Sequence, residues 1–275
     1  MKTYLCLAAL CILASCKKPV TEAPYPFQNK QVGIGAYSLA TYYSSPVKNS
    51  KYFVVFDAGL GDYSKVWTDS HVPDSITVNA DVILYDRAGY NKSTAAPAPR
   101  DVNNMRKDLD SVIRYYANGR KVILVAHSLG GYITRDFAIK NPSRVAALLF
   151  VDPSHELYNG TLNQAGEDQV YNAFKDIYGP GFGGTMEARE LIEDAQYMSA
   201  LPALPNIPVI VISSMKTDAT HSIADRQLWY NAHESLKTGL TDFSHTSTTL
   251  SGHYIMNTEP ALVKEKIREL LAKLP

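Results

Sequence analysis

Thiol is scarce in this chain. Of 275 residues only three are cysteine, Cys6, Cys11 and Cys16, and all lie in or at the end of an N-terminal apolar segment. The body that follows has no thiol for a disulfide or a cysteine-based metal site, so its core must hold it together. Net charge is also missing. The 27 basic and 27 acidic side chains cancel, which excludes the basic field that draws nucleic acid. The apolar segment Tyr4–Leu13 is too short to cross a bilayer. No glycine-rich nucleotide loop follows the first strand and no paired His/carboxylate spacing appears, so neither cofactor nor metal is expected. There is no internal repeat, no second domain, and nothing that assigns an oligomeric state.

Tyrosine, by contrast, is plentiful: 18 residues against 8 Phe and 2 Trp. This favours amphipathic surfaces and pocket linings. At the N-terminus, Met1-Lys2 gives a positive start and the apolar segment ends in Leu13-Ala14-Ser15-Cys16. This resembles a bacterial lipoprotein signal, which implies a signal peptide over residues 1–15 and an acylated Cys16. Residues 16–30 carry Pro19, Pro24 and Pro26 and read as an extended tether. A body facing the periplasm or exterior, lipid-anchored to a membrane of a bacterial envelope, is the expectation. Several acyl groups on one cysteine would hold it firmly.

Residues 31–275 read as one domain. Gln31–Ser45 alternates Ile34, Ala36, Ser38, Ala40 and Tyr42 and predicts two short antiparallel strands. Four apolar runs, Tyr52–Phe56, Asp81–Tyr85, Val145–Val151 and Pro208–Ile212, suit strands buried on both faces. Helices are predicted between them. Arg100–Asn118 places Met105, Leu109, Val112, Ile113 and Tyr116 on one face, and Ala224–Leu236 and Pro260–Leu271 follow, with Pro260 in a first turn. A polar strand, Ser244–Leu250, precedes the last of these. Strands alternating with helices predict an α/β fold, a mostly parallel central sheet with helices on both faces. Residues 154–205 break the rhythm. They are polar, rich in Tyr and Gly, with helical patches at Glu167–Ile177 and Met186–Ser199, and read as a small helical cap inserted after the strand ending near Asp152, with Tyr178–Gly184 as a mobile joint.

The chain is organised around Lys121–Gly131, KVILVAHSLGG. A buried strand runs into Ala126-His127-Ser128-Leu129-Gly130-Gly131 and then into a helix over Tyr132–Lys140. Strand, tight turn with a serine, and helix is the context of a nucleophile elbow. A serine hydroxyl needs a base to take its proton. His253, in Ser251-Gly252-His253-Tyr254 after the last strand, is the candidate. His71, His221, His233 and His245 fall in segments read as loop, helix surface or edge, and His155 is a candidate pocket residue.

Four blocks in order resemble the α/β-hydrolase superfamily: Asp57-Ala58-Gly59-Leu60-Gly61, Asp86-Arg87-Ala88-Gly89-Tyr90, Ala126–Gly131, and Ser251-Gly252-His253 before a closing helix. The resemblance implies a serine hydrolase that cleaves carboxylic esters or related acyl bonds through an acyl-enzyme, with Ser128 as nucleophile, His253 as base, and the amides of Leu60 and Leu129 as oxyanion hole. The acid is Asp152, at the end of Phe150-Val151-Asp152-Pro153, or alternatively Asp218, which lies after the Pro208–Ile212 strand but sits late against the family pattern. Asp57, Asp86 and Arg87 are assigned to loop structure. The expected partner is a small-molecule ester or acyl substrate. Within the fold a peptidase or carbon–carbon bond hydrolase is also compatible. An epoxide hydrolase or dehalogenase is disfavoured, because those use a carboxylate where this chain has Ser128. A membrane-anchored binding protein that kept the fold and lost turnover is the reading from another class.

Overall fold

A computed structural model describes residues 27–45 and 50–275. Residues 1–15 and Cys16 lie outside the described residues, as does most of the tether. Residues 28–30, which the sequence places in the tether, belong instead to the first strand, β1 (Gln28–Ile34). Gln28, Asn29 and Lys30 are polar and exposed, as an outermost strand allows, so hydropathy gives no sign of the pairing.

β1 pairs antiparallel with β2 (Tyr37–Ser44), which pairs antiparallel with β4 (Asp81–Tyr85). From there the sheet is parallel through β3 (Phe53–Asp57), β5 (Val122–His127), β6 (Val145–Val151), β7 (Val209–Ser214) and β8 (Phe243–Thr248), giving the order β1-β2-β4-β3-β5-β6-β7-β8. Every residue of β3, β4, β5, β6 and β7 is buried, which is why these strands read as unbroken apolar runs.

Alternate residues of these strands feed two separate cores. Phe53, Val55 and Leu124 pack with α3 (Val102–Ala117) and α4 (Gly130–Lys140). Val54, Phe56 and Val125 pack with α1 (Lys65–Asp69), α2 (Val72–Ile76), α10 (Ile255–Thr258) and α11 (Pro260–Lys273). The period of two along a strand divides the apolar residues between the faces. In α3 the buried Met105, Leu109, Val112 and Ile113 form the stripe expected from their spacing, and Asp101 caps its N-terminus by accepting from Asn104 N at 2.7 Å.

The cap holds α5 (Glu156–Asn159), α6 (Gln164–Tyr178), α7 (Gly183–Glu187) and α8 (Leu191–Ser199). The patch expected over Met186–Ser199 is two helices, broken at Ala188–Glu190. The joint at Tyr178–Gly184 is anchored in the structure. Phe182 packs edge-on against Tyr90 at 4.8 Å, and Gly183 N donates to Gly89 O at 3.1 Å. After β7, α9 (Ile223–Glu234) opens with a capping box between Ser222 and Asp225. Among the described residues no helix is long and apolar enough to cross a membrane.

Candidate active site

The parallel strands deliver their C-terminal ends to one edge of the sheet, where loops carry the polar residues. Ser128 follows β5 at a positive φ of 51°, a left-handed conformation that L-residues adopt at a cost. Three bonds hold it there. Ser128 N donates to Val151 O at 3.4 Å, and Ser128 O accepts from Gly131 N at 2.8 Å and Ser154 N at 2.9 Å. The glycines that follow are required by contact. A Cβ on Gly130 would lie 2.8 Å from Ala58 O, and one on Gly131 would lie 2.5 Å from Pro153 Cβ. Gly59 borders the serine from the other side, where a Cβ would stand 3.0 Å from Ser128 Cβ.

His253 Nδ1 lies 2.7 Å from Asp152 Oδ2. Asp152 is fully buried and also left-handed, at φ 47°. Its second oxygen accepts from Ser214 N at 2.8 Å and Trp229 Nε1 at 2.7 Å. Burial pushes the Asp152 pKa up, but the hydrogen bond and charge of His253 and the Ser214 amide outweigh it and hold the group below the usual carboxylate value. The His253 side chain is 37% exposed, so its ring reaches solvent on the side away from Asp152. His127 lies beneath it, with ring centroids 4.5 Å apart, and donates from Nε2 to His253 O at 3.0 Å. Burial lowers the His127 pKa to about 3, so this ring is neutral at ordinary pH.

The structure thus brings Asp152 to His253 on the same sheet edge as Ser128. Asp218 is elsewhere. Its carboxylate is exposed and bound by Thr220 and His221, with Thr220 Oγ1 at 2.7 Å. Leu60 lies in the loop after β3, partly buried, and Leu129 is the N-cap of α4, its amide at the positive end of a helix.

Other histidines depart from expectation. His233 and His245 are interior groups. Ser213 Oγ stands 2.5 Å from His233 Nδ1 and 2.7 Å from His245 Nε2, while His245 Nδ1 meets Glu234 at 2.8 Å and His233 Nε2 donates to Pro153 O at 2.7 Å. The face of α9 that packs on β7 carries His233 inward, and nothing in the local spacing marks it. His155 is also buried and accepts from Leu157 N as the cap of α5. Trp229, which no motif singled out, donates to the Asp152 carboxylate. Its only sequence signal is a tryptophan on the inward face of a helix.

Asp57, Asp86 and Arg87 bond the loops. Asp86 accepts from Ser64 N at 3.0 Å and Asn91 Nδ2 at 2.8 Å. Arg87 is fully buried between Asp57 and the cap residue Glu187. Burial, opposed by Arg87, raises the Asp57 pKa to about 6. Asp62, close to Gly59, has its pKa raised by burial against a hydrogen bond from Tyr254. Among the described residues no group of three or more His, Asp, Glu or Cys side chains is arranged to hold a metal ion.

The sequence profile of the alpha/beta hydrolase fold matches residues 52–262. The chain is 25% identical over 211 residues to the uncharacterized protein YqjL of Bacillus subtilis (strain 168), covering 76% of this chain and 79% of that protein. It is 29% identical over 112 residues to the human (lyso)-N-acylphosphatidylethanolamine lipase, but that match spans 40% of this chain and only 32% of the lipase. Among solved structures, the epoxide hydrolase CorEH superposes with a TM-score of 0.67 at 16% identity, covering 90% of this chain and 99% of the other. A thermophilic esterase from Thermogutta terrifontis superposes with a TM-score of 0.66 at 18% identity, covering 90% and 98%. Likeness at such identities establishes the fold alone.

Proposed function

We propose that this chain, which belongs to the alpha/beta hydrolase family, is a serine hydrolase that cleaves carboxylic esters or related acyl bonds through an acyl-enzyme. The observation that carries the reading is the pair of buried Asp152 and half-buried His253, 2.7 Å apart, on the strand edge where Ser128 occupies a left-handed turn. A serine where epoxide hydrolases use a carboxylate nucleophile favours ester or acyl substrates over epoxides, and the name of one sequence relative, a lipase, points the same way.

In this mechanism His253 Nε2 accepts the Ser128 hydroxyl proton as Oγ bonds to the acyl carbon. The carbonyl electron pair moves to oxygen, and the Leu60 and Leu129 amides receive that oxyanion. Losing one such donor costs about 3 kcal/mol of transition-state stabilisation. The tetrahedral species collapses, the C–O bond to the alcohol breaks, and His253 passes the proton to the departing oxygen. Water repeats the sequence on the acyl-enzyme and releases the acid. Asp152 keeps Nδ1 protonated so that Nε2 is the basic nitrogen, and it stabilises the imidazolium that forms. Nothing in this path needs a cofactor.

The N-terminal segment extends the proposal. Acylation of Cys16 would anchor the hydrolase to a membrane of the bacterial envelope, facing the periplasm or exterior.

Fluorophosphonate labelling of the chain from Lys17 onward, with the adduct located by mass spectrometry, tests the reading. An adduct on Ser128, lost on prior heating, supports an activated serine. Absence of any adduct on folded protein overturns the reading in favour of a binding protein. Ser128→Ala separates the two in function. Turnover falls on the order of a thousand-fold or more if Ser128 is the nucleophile, whereas a binder keeps its function.

A further inference from the structure

The buried charges beneath the loop after β3 converge on a residue of the cap. Arg87 has five N–H donors, and each has an acceptor. Nε donates to Glu187 Oε1 at 2.7 Å, Nη2 to Glu187 Oε2 at 2.8 Å and Gly59 O at 2.7 Å, and Nη1 to Asp57 Oδ1 at 3.1 Å and Ala58 O at 2.7 Å. Glu187 Oε2 accepts a further bond from Tyr90 Oη at 2.6 Å, and the same phenol oxygen accepts from Gly61 N at 3.1 Å. All four side chains are buried.

Leu60 stands between the two backbone groups so held. In a planar trans peptide the C=O and N–H point in opposite directions. Gly59 O and Leu60 N–H share one peptide unit, so the Arg87 bond turns the carbonyl toward the guanidinium and aims the Leu60 amide the other way. Leu60 O and Gly61 N–H share the next unit, which Tyr90 pins. Both peptides bordering Leu60 are therefore fixed, and both lines of support end on one carboxylate. That carboxylate belongs to α7, which the Gly183–Gly89 bond docks on the loop after β4 that carries Arg87 and Tyr90. A Cβ added to Gly59 would lie 3.0 Å from Ser128 Cβ, which places this loop beside the serine.

We propose that Glu187 is a positioning residue. Through the Arg87 guanidinium and the Tyr90 hydroxyl it orients the Leu60 amide as an oxyanion donor, so that the docked cap completes the oxyanion hole. Glu187 touches no substrate in this arrangement. The inference rests on the serine hydrolase reading of Ser128.

The test measures kcat and KM for p-nitrophenyl acetate, and inhibition by an aryl trifluoromethyl ketone, in wild type, Glu187→Gln and Tyr90→Phe, from Lys17 onward. The ketone forms a serine adduct whose oxyanion needs the hole. Removing one oxyanion donor outright costs about 10²–10³ in kcat, and misaiming one is expected to cost at least about tenfold. Ketone affinity should weaken in step with kcat/KM, while circular dichroism and melting report an intact fold. Tyr90→Phe leaves the Arg87–Glu187 pair in place and decides the matter if Glu187→Gln does not fold. Wild-type kcat in either folded variant, or a loss confined to KM with ketone affinity unchanged, overturns the proposal. A wild type that labels at Ser128 isolates such a failure to Glu187. A wild type that neither labels nor turns over ester overturns the hydrolase reading, and this inference with it.

Discussion

Replacing Asp152 by asparagine perturbs one proton. Asp152 Oδ1 accepts from two N–H groups, Ser214 N at 2.8 Å and Trp229 Nε1 at 2.7 Å, and Oδ2 faces His253 Nδ1 at 2.7 Å. Asparagine has one oxygen and one NH2. The two fixed donors require the oxygen on their side, because the flipped amide would set N–H against N–H twice. The NH2 is thereby aimed at His253 Nδ1, which must become an acceptor, and the ring proton moves to Nε2. His253 then presents a hydrogen to Ser128 where a lone pair is needed. An inverted tautomer of this kind costs on the order of 10⁴ in kcat, about 5 kcal/mol of barrier. Since the substituted side chain keeps both Oδ1 bonds, the fold should survive. Steady-state hydrolysis of a p-nitrophenyl ester, with melting as control, is the assay. Asp218→Asn, whose exposed carboxyl bonds Thr220 and His221 instead of His253, should stay within about twofold of wild type. A tenth or more of wild-type kcat in Asp152→Asn, or an equal loss in Asp218→Asn, would refute the assignment of the acid.

Trp229→Phe removes one donor to the Asp152 carboxylate. A hydrogen bond to a charged group is worth about 1.5–3 kcal/mol, so kcat should fall by about tenfold or more with KM little changed, and unchanged kcat would show that Ser214 N suffices. Asp194, on α8, is buried, accepts from Val102 N at 2.7 Å and leaves Oδ2 without a partner. Burial raises its pKa from 3.8 to about 8, with Asp101, Glu190 and Glu187 adding to the shift. A carboxyl raised in the folded state binds more protons folded than unfolded, so its contribution to stability falls as pH rises from about 4 to about 8. The melting temperature of Asp194→Asn relative to wild type should therefore climb across that window and level off above it, and a pH-independent difference would contradict the raised pKa. Gly131→Ala, whose Cβ would lie 2.5 Å from Pro153 Cβ, should destabilise the protein by about 1–3 kcal/mol in a denaturant titration.

Much of the architecture was legible because the sheet is buried on both faces. Asp81–Tyr85 and Val145–Val151 appear as strands at the bounds their apolar runs suggest. The outer hairpin starts earlier than expected, since an exposed edge strand needs no apolar residues. Ser128, His253 and Asp152 stand at the ends of elements that local patterns mark, and so the sequence could nominate them. The residues it could not nominate act through partners far along the chain. Trp229 reaches Asp152 across 77 positions, and Glu187 reaches Arg87 across 100. Such pairs are made by strand order and cap docking, and no spacing rule within one segment reports them. His233 and His245 were misplaced for the same reason. Their burial depends on how α9 lies over β7 and β8, and an imidazole has the same local signature inside as outside.

Ser128 and Asp152 end neighbouring strands, and both sit in a conformation that glycine would occupy without strain. Each such residue carries strain of about 1–3 kcal/mol, tolerated only where the surroundings over-determine it. At Asp152 the three hydrogen bonds of the buried carboxylate offset that strain, so selection for stability alone would tend toward glycine at Ser128. A stabilised variant obtained without an activity screen should be inspected first at Ser128, because resistance to unfolding and turnover pull there in opposite directions.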